Sequence, residues 1–153
     1  MDRKKCRAYT MVELALVLVI AGLLVGMLRP VYFHLTDEME SQTAIDQIND
    51  IEAKIDQFGK DNDRYPDSLD EVFDPVPLDP WGHPYQYLNI HDYPHTSTGK
   101  TRKDKNLIPI NSDYDLYSMG PDGETTSPLT ASVSQDDIVR GRNGAYVGLA
   151  SEY

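Results

Sequence analysis

Residues 14–28, LALVLVIAGLLVGML, run without a single charged or strongly polar side chain. Just before them stands Glu13, and before that a basic cluster of Arg3, Lys4, Lys5 and Arg7. Read as a helix, residues 9–28 reach about 30 Å, enough to cross the hydrocarbon core of a bilayer. The basic residues hold their end on the cytoplasmic side, so everything after the apolar run lies outside. A cleaved secretory signal is the competing reading. It is disfavoured because the run passes into a helical pattern and not into a small-residue cleavage site. Glu13 sits at the start of the expected membrane helix, 9–28, where a carboxylate costs less than the roughly 2.5–3.5 kcal/mol it costs at a helix centre. An acid kept in such a place is a functional candidate by default.

The remainder of the 153 residues suffices for one domain. The net charge is −11; Asp2 against the four basic residues gives the first eight positions +3, which leaves −14 on residues 9–153. So acidic a head excludes a general nucleic-acid binder, which needs a basic face for phosphates. The only cysteine, Cys6, lies in the basic leader, so the head has no disulfide available. No nucleophile elbow, P-loop or HExxH occurs, and His34, His83, His91 and His95 lack metal-ligand spacing. The chain is read as a non-enzyme.

Arg7-Ala8-Tyr9-Thr10-Met11-Val12-Glu13-Leu14 resembles the processing site of type IV prepilins. The resemblance implies a peptidase cut between Ala8 and Tyr9 and methylation of the new Tyr9 amine. Ala8 stands where the family usually has Gly. It further implies that Glu13 of one subunit neutralises the Tyr9 amine of its neighbour, so that two costly charges in lipid cancel and set the axial register. Pro30 interrupts the helical hydrogen bonding. Residues 22–30, which include Gly22 and Gly26, are candidates for unwinding on assembly, a static kink being the alternative. The expected organisation is a cleaved leader (1–8), a transmembrane and assembly helix (9–30) and a head (31–153).

Within the head, Ala44, Ile45, Ile48, Ile51, Ile55 and Phe58 recur at three- and four-residue steps. They predict an amphipathic helix over 31–58 that ends at Gly59 and packs one stripe on a sheet. Asp61-Asn62-Asp63 is read as loop. Ser68 could cap a short helix at 68–73. Strands are expected near 85–89, 115–119 and 144–149, giving an α+β, pilin-like fold with a three-stranded antiparallel sheet. Trp81 should anchor its turn. Residues 91–112 carry Lys100, Arg102, Lys103 and Lys105 and read as a solvated loop, or else as a contact to an acidic neighbouring subunit.

Asp79-Pro80-Trp81-Gly82-x-Pro84-Tyr85-x-Tyr87, then Tyr114-Asp115-Leu116-Tyr117-Ser118-x-Gly120-x-Asp122-Gly123, then Asp136-Asp137-Ile138, resemble the major pseudopilin, or G subunit, of type II secretion systems. The stretches 90–112 and 122–136 are longer than that pattern, and the chain continues past Asp137. The resemblance implies a calcium ion held by the Met119 carbonyl, Asp122, Asp136 and Asp137, with Ser118, Glu124 and Ser134 as further candidates. Calcium takes six to eight oxygens at about 2.3–2.6 Å, and these residues supply oxygens. From the residues alone, Pro-Asp-Gly is equally a turn, and Asp-Asp equally a helix cap.

The expected function is that of a structural subunit, anchored in a bacterial inner membrane with its head in the periplasm. It would polymerise with itself into a pseudopilus for protein export. Its partners would be prepilin peptidase, an inner-membrane assembly platform and minor pseudopilins, and no nucleic acid. The alternatives are a type IV pilin for adhesion, motility or DNA uptake, and a monomeric membrane-anchored calcium-binding protein.

Overall fold

The computed structural model describes residues 10–93 and 99–153, and within the long helix the side chains of residues 27–36 fall outside the description. The chain divides into two units, Met1–Glu38 and Met39–Tyr153.

Helix α1 covers Met11–Asn62, through the Gly22–Pro30 stretch. Its start is capped by Thr10, whose hydroxyl accepts the Glu13 backbone N–H at 3.2 Å; this satisfies one of the four donors that a helix start leaves unpaired. Its end lies three residues beyond the expected stop at Gly59. Asp63 takes the left-handed backbone (φ 59°), its N–H bonds the Gly59 carbonyl at 2.9 Å, and the Asn62 amide bonds the Phe58 carbonyl at 2.9 Å. Asp tolerates the left-handed region well enough to end a helix. Asp61 and Asn62 are therefore helical, and only Asp63 begins the loop. The short helix expected at 68–73 is one 3₁₀ turn, Leu69–Glu71, and Ser68 precedes it without a side-chain cap.

Among its described residues the head, Met39–Tyr153, contains four strands where three were expected. They are β1 (Gln86–Asn89), β2 (Tyr114–Ser118), β3 (Ile138–Gly141) and β4 (Tyr146–Leu149). All pair antiparallel in the order β1-β2-β3-β4. Strand β3, Ile-Val-Arg-Gly, is the added one. It is buried at all four positions, so it lacks the polar alternation that marks a half-exposed strand.

Alternate strand residues point to opposite faces, and the two faces carry separate cores. On one, Ala44, Ile48, Ile51 and Ile55 of α1 pack with Tyr85, Tyr114, Leu116 and Ile138, with Trp81 and Val147 at the margin. On the other, Val139 packs with Ile110, Leu129 and Ala150, joined by Tyr117, Tyr146 and Tyr153. The second core corrects the reading of 91–112 as a solvated loop at Thr101, Arg102, Ile110 and Asn111, which are buried, while residues 91–93, 99–100 and 105–109 are exposed. Ile110 and Arg102 pack on the outer face of the sheet, against Val139 and the Tyr117 ring; Ile110 N–H bonds the Arg102 carbonyl at 3.0 Å, and Lys103 N–H bonds the Ser127 carbonyl at 2.9 Å.

Arg140, on the helix-facing side of β3, locks α1 to the sheet. Its guanidinium donates to Glu52 of α1 at 2.8 Å and to both Asp113 oxygens at 3.0 and 2.7 Å. It also lies 4.0 Å from the centre of the Tyr114 ring. Burial opposes its charge, but the bonds to Asp113 and Glu52 hold the guanidinium above its ordinary pKa.

Candidate functional site

Two regions hold the expected functional residues. In the first unit, every described side chain from Thr10 to Gly26 is exposed. Met11 is 90 % exposed and Val12 78 %, and Leu14, Leu16, Val17, Leu18, Val19, Ile20, Leu23, Leu24 and Val25 all lie open. So much apolar surface on one helix needs lipid or another apolar surface to cover it. Glu13 sits in its first turn, at the positive end of the helix dipole. Ala8, Tyr9 and the Pro30 side chain lie outside the described residues. Among the described residues, no helix is long and apolar enough to cross a membrane.

The second region is the link from β2 to β3. Here the two sequence blocks of the head meet. The Asp79 carboxylate accepts from the backbone N–H groups of Trp81 at 3.1 Å and His83 at 2.8 Å. Its second oxygen accepts the Ser118 hydroxyl at 2.5 Å. Ser118 Oγ in turn accepts the Gly120 N–H at 3.1 Å, and the His83 Nδ1 atom lies 3.1 Å from the Gly120 carbonyl. The Ser118 hydroxyl thus both donates and accepts within the fold.

Gly120 lets the link turn back. It has φ +65°, and a Cβ placed there would lie 2.6 Å from the Asp136 carbonyl oxygen. Only glycine accepts both the conformation and the approach. This packing brings Asp136 to the 120–122 turn, where it gathers with Asp122. Burial, with the Asp122 charge adding to it, holds the Asp136 carboxyl above the usual carboxylate range. Asp122 is exposed, and its Oδ1 accepts the Glu124 N–H at 2.8 Å. Ser134 Oγ bridges the backbone of Thr126, accepting its N–H at 2.8 Å and donating to its carbonyl at 3.0 Å.

Asp137 is placed differently. It is fully buried, and its Oδ2 accepts the Arg102 guanidinium and the Thr125 hydroxyl, the latter at 2.7 Å. Burial pushes its carboxyl up to about 6, against the Thr125 bond and the Arg102 charge that pull it down. Arg102 is only 2 % exposed; it also donates to Thr125 Oγ1 and the Thr126 carbonyl and lies 4.4 Å from the centre of the Tyr117 ring. Sequence reading put Arg102 in a solvent-facing basic knot. No signal in the sequence sets it apart from Lys100 and Lys105, which are exposed.

The fit of these residues to calcium is mixed. Asp137 Oδ1 is buried and has no hydrogen-bond partner, which suits a cation. Yet a dication there would stand a few ångströms from a guanidinium, and like unit charges at 4 Å repel by about 4 kcal/mol at an effective dielectric of 20. Among the described residues, no three His, Cys, Asp or Glu side chains gather closely enough to hold a metal ion. A single calcium shared by Asp122, Asp136 and Asp137 therefore does not match this donor arrangement.

A long N-terminal helix packed through its second half on a small antiparallel sheet defines an α+β protein of pilin-like fold. The chain further resembles the major pseudopilin of type II secretion. It is 28 % identical over 145 residues to the type II secretion system core protein G of Pseudomonas aeruginosa, covering 81 % of this chain and 89 % of that protein. The core protein G of Aeromonas hydrophila gives the same identity and coverage. That of Escherichia coli strain K12 is 27 % identical over 141 residues, covering 78 % of this chain and 85 % of that protein. No family model and no solved structure matches the chain.

Proposed function

We propose that this chain is the major structural subunit of a type II secretion-like pseudopilus. The observation that carries this reading is the similarity to the G proteins across about four fifths of the chain, joined to an α+β head and to a first stretch of helix, Met11–Val25, whose large apolar side chains are all open. The subunit is made as an inner-membrane precursor with its head in the periplasm. Prepilin peptidase cuts between Ala8 and Tyr9 and methylates the Tyr9 amine. The apolar first half of α1 anchors the precursor in the bilayer and, in the filament, packs against the same segment of neighbouring copies. Glu13 supplies the counter-charge for a neighbour's Tyr9 ammonium, since leaving either charge alone in an apolar setting costs more than the pair. An inner-membrane platform and minor pseudopilins act with it in assembly, and the filament exports protein without any covalent chemistry of its own.

Mass spectrometry of the mature chain tests the processing step: an N-methylated Tyr9 terminus is expected, and a chain that retains Met1 overturns it. Glu13→Leu tests assembly. The variant should reach the membrane with a folded head, yet yield few or no filaments by electron microscopy and little secreted cargo. Normal filaments from this variant would overturn the charge-pairing account.

A further inference from the structure

The β2–β3 link closes without help from a disulfide, and its expected metal ligands do not converge. What lies inside it is Arg102. The guanidinium reaches three points of the link: the Thr125 hydroxyl, the Thr126 carbonyl and the Asp137 carboxylate. Thr125 closes the triangle by donating to the same Asp137 oxygen at 2.7 Å. The backbone around Arg102 is fixed on both sides. Its own N–H donates to the buried Asp115 carboxylate of β2 at 2.7 Å. Next to it, Lys103 pairs with the link through the Ser127 carbonyl and the Leu129 N–H, both at 2.9 Å. The Ser127 hydroxyl donates to the Thr101 carbonyl. An arginine suits this position because its planar fork can bond several oxygens at once while keeping its charge when buried.

We propose that Arg102 is the built-in cation of this head: delivered by the long 99–112 segment, it ties residues 125–126 to Asp137 and closes the link for which a calcium ion was expected, so that the head folds and stays folded without calcium. The positive charge comes from the chain itself, and two of the features by which this sequence departs from the G-subunit pattern, the lengthened 90–112 and 122–136 stretches, become the two halves of one device. The longer first stretch brings the guanidinium, and the longer second one wraps over it.

The test is a thermal melt of the full chain in detergent, in millimolar calcium and in excess EGTA, with the variants Arg102→Met, Asp137→Asn and Lys100→Met. For the unaltered chain the midpoint should be the same in both conditions; a midpoint lowered by EGTA or raised by calcium overturns the proposal. This comparison needs no variant to fold. Arg102→Met leaves the Asp137 carboxylate buried with the Thr125 hydroxyl but without its cation, and its midpoint should fall by roughly 10 °C, as for other broken buried ion pairs. Lys100→Met, an exposed change beside it, should leave the midpoint in place. Adding Asp137→Asn to Arg102→Met should recover part of the loss, because the stranded charge is gone. If Arg102→Met melts with Lys100→Met, or if the double variant is no better than Arg102→Met, Arg102 does not hold the link.

Discussion

The Asp79 carboxylate and the Ser118 hydroxyl, 39 positions apart, share a 2.5 Å hydrogen bond that joins the turn before β1 to the end of β2. Both residues are buried. Asp79 gathers three donors in all, from Trp81, His83 and Ser118. Replacing Asp79 with Ala would orphan them together, at a cost of about 3 kcal/mol or more. Ser118→Ala removes one partner of Asp79 and the acceptor of the Gly120 N–H, and should cost about 1–2 kcal/mol. Urea unfolding followed by Trp81 fluorescence measures both. A loss on Asp79→Ala no larger than that on Ser118→Ala would show that the two backbone bonds carry no weight.

Arg140 should be harder to replace than any surface basic residue. Arg140→Met leaves Glu52 and Asp113 facing each other across the helix–sheet boundary, and about 3–5 kcal/mol of stability should go with it. Arg140→Lys should recover little, since an ammonium cannot span two carboxylates and lie flat on Tyr114 as the guanidinium does. Calorimetric midpoints of the two variants, side by side, decide the matter.

Gly120→Ala is expected to unsettle the link more than its size suggests. The added Cβ meets the Asp136 carbonyl at 2.6 Å on a backbone with φ +65°. A loss of about 2 kcal/mol is expected. Amide exchange should show its largest gain around residues 118–124 and 134–138, and uniform gain across the head would count against a local origin.

Asp92 gives the head a measurable acid dependence. Bonds from the Asn89 amide, the His91 ring and the Tyr65 N–H hold its carboxyl below the ordinary value of 3.8. The folded chain therefore binds fewer protons than the unfolded one between these two values. The resulting stabilisation is present above about pH 3.8 and is lost as pH falls through the lower, folded value. Because Asp92 is exposed, the effect should stay below about 1 kcal/mol. Asp92→Asn should thus be less stable than the unaltered chain at neutral pH, and the gap should shrink in acid. A gap that widens on acidification would reverse the assignment.

Much of the architecture was legible from residue pattern. The period of Ala44, Ile48, Ile51 and Ile55 marked the helix stripe, because helical side chains three and four apart share a face. The turns around Pro80-Trp81-Gly82 and Gly120-Pro121-Asp122-Gly123 marked where β1 begins and β2 ends. Strand β3 was missed because burial on both faces erases alternation. Arg102 was misread because a charged residue among charged neighbours looks solvated until a partner is seen. Nothing in the spacing of Arg102 and Asp137, 35 positions apart, announces that they meet.

The sequence by itself determined the division into an apolar N-terminal helix and an acidic head, along with the absence of a disulfide and the helix stripe, since each depends on local composition or on neighbours one turn apart. The tertiary structure alone decided which charges pair. A buried ion pair is chosen by the closing of distant segments over a common face of the sheet, and two arginines with near-identical local surroundings can end in water or in the core according to what folds over them. Arg142 is exposed, while Arg140, two residues earlier, lies at the centre of the helix–sheet contact.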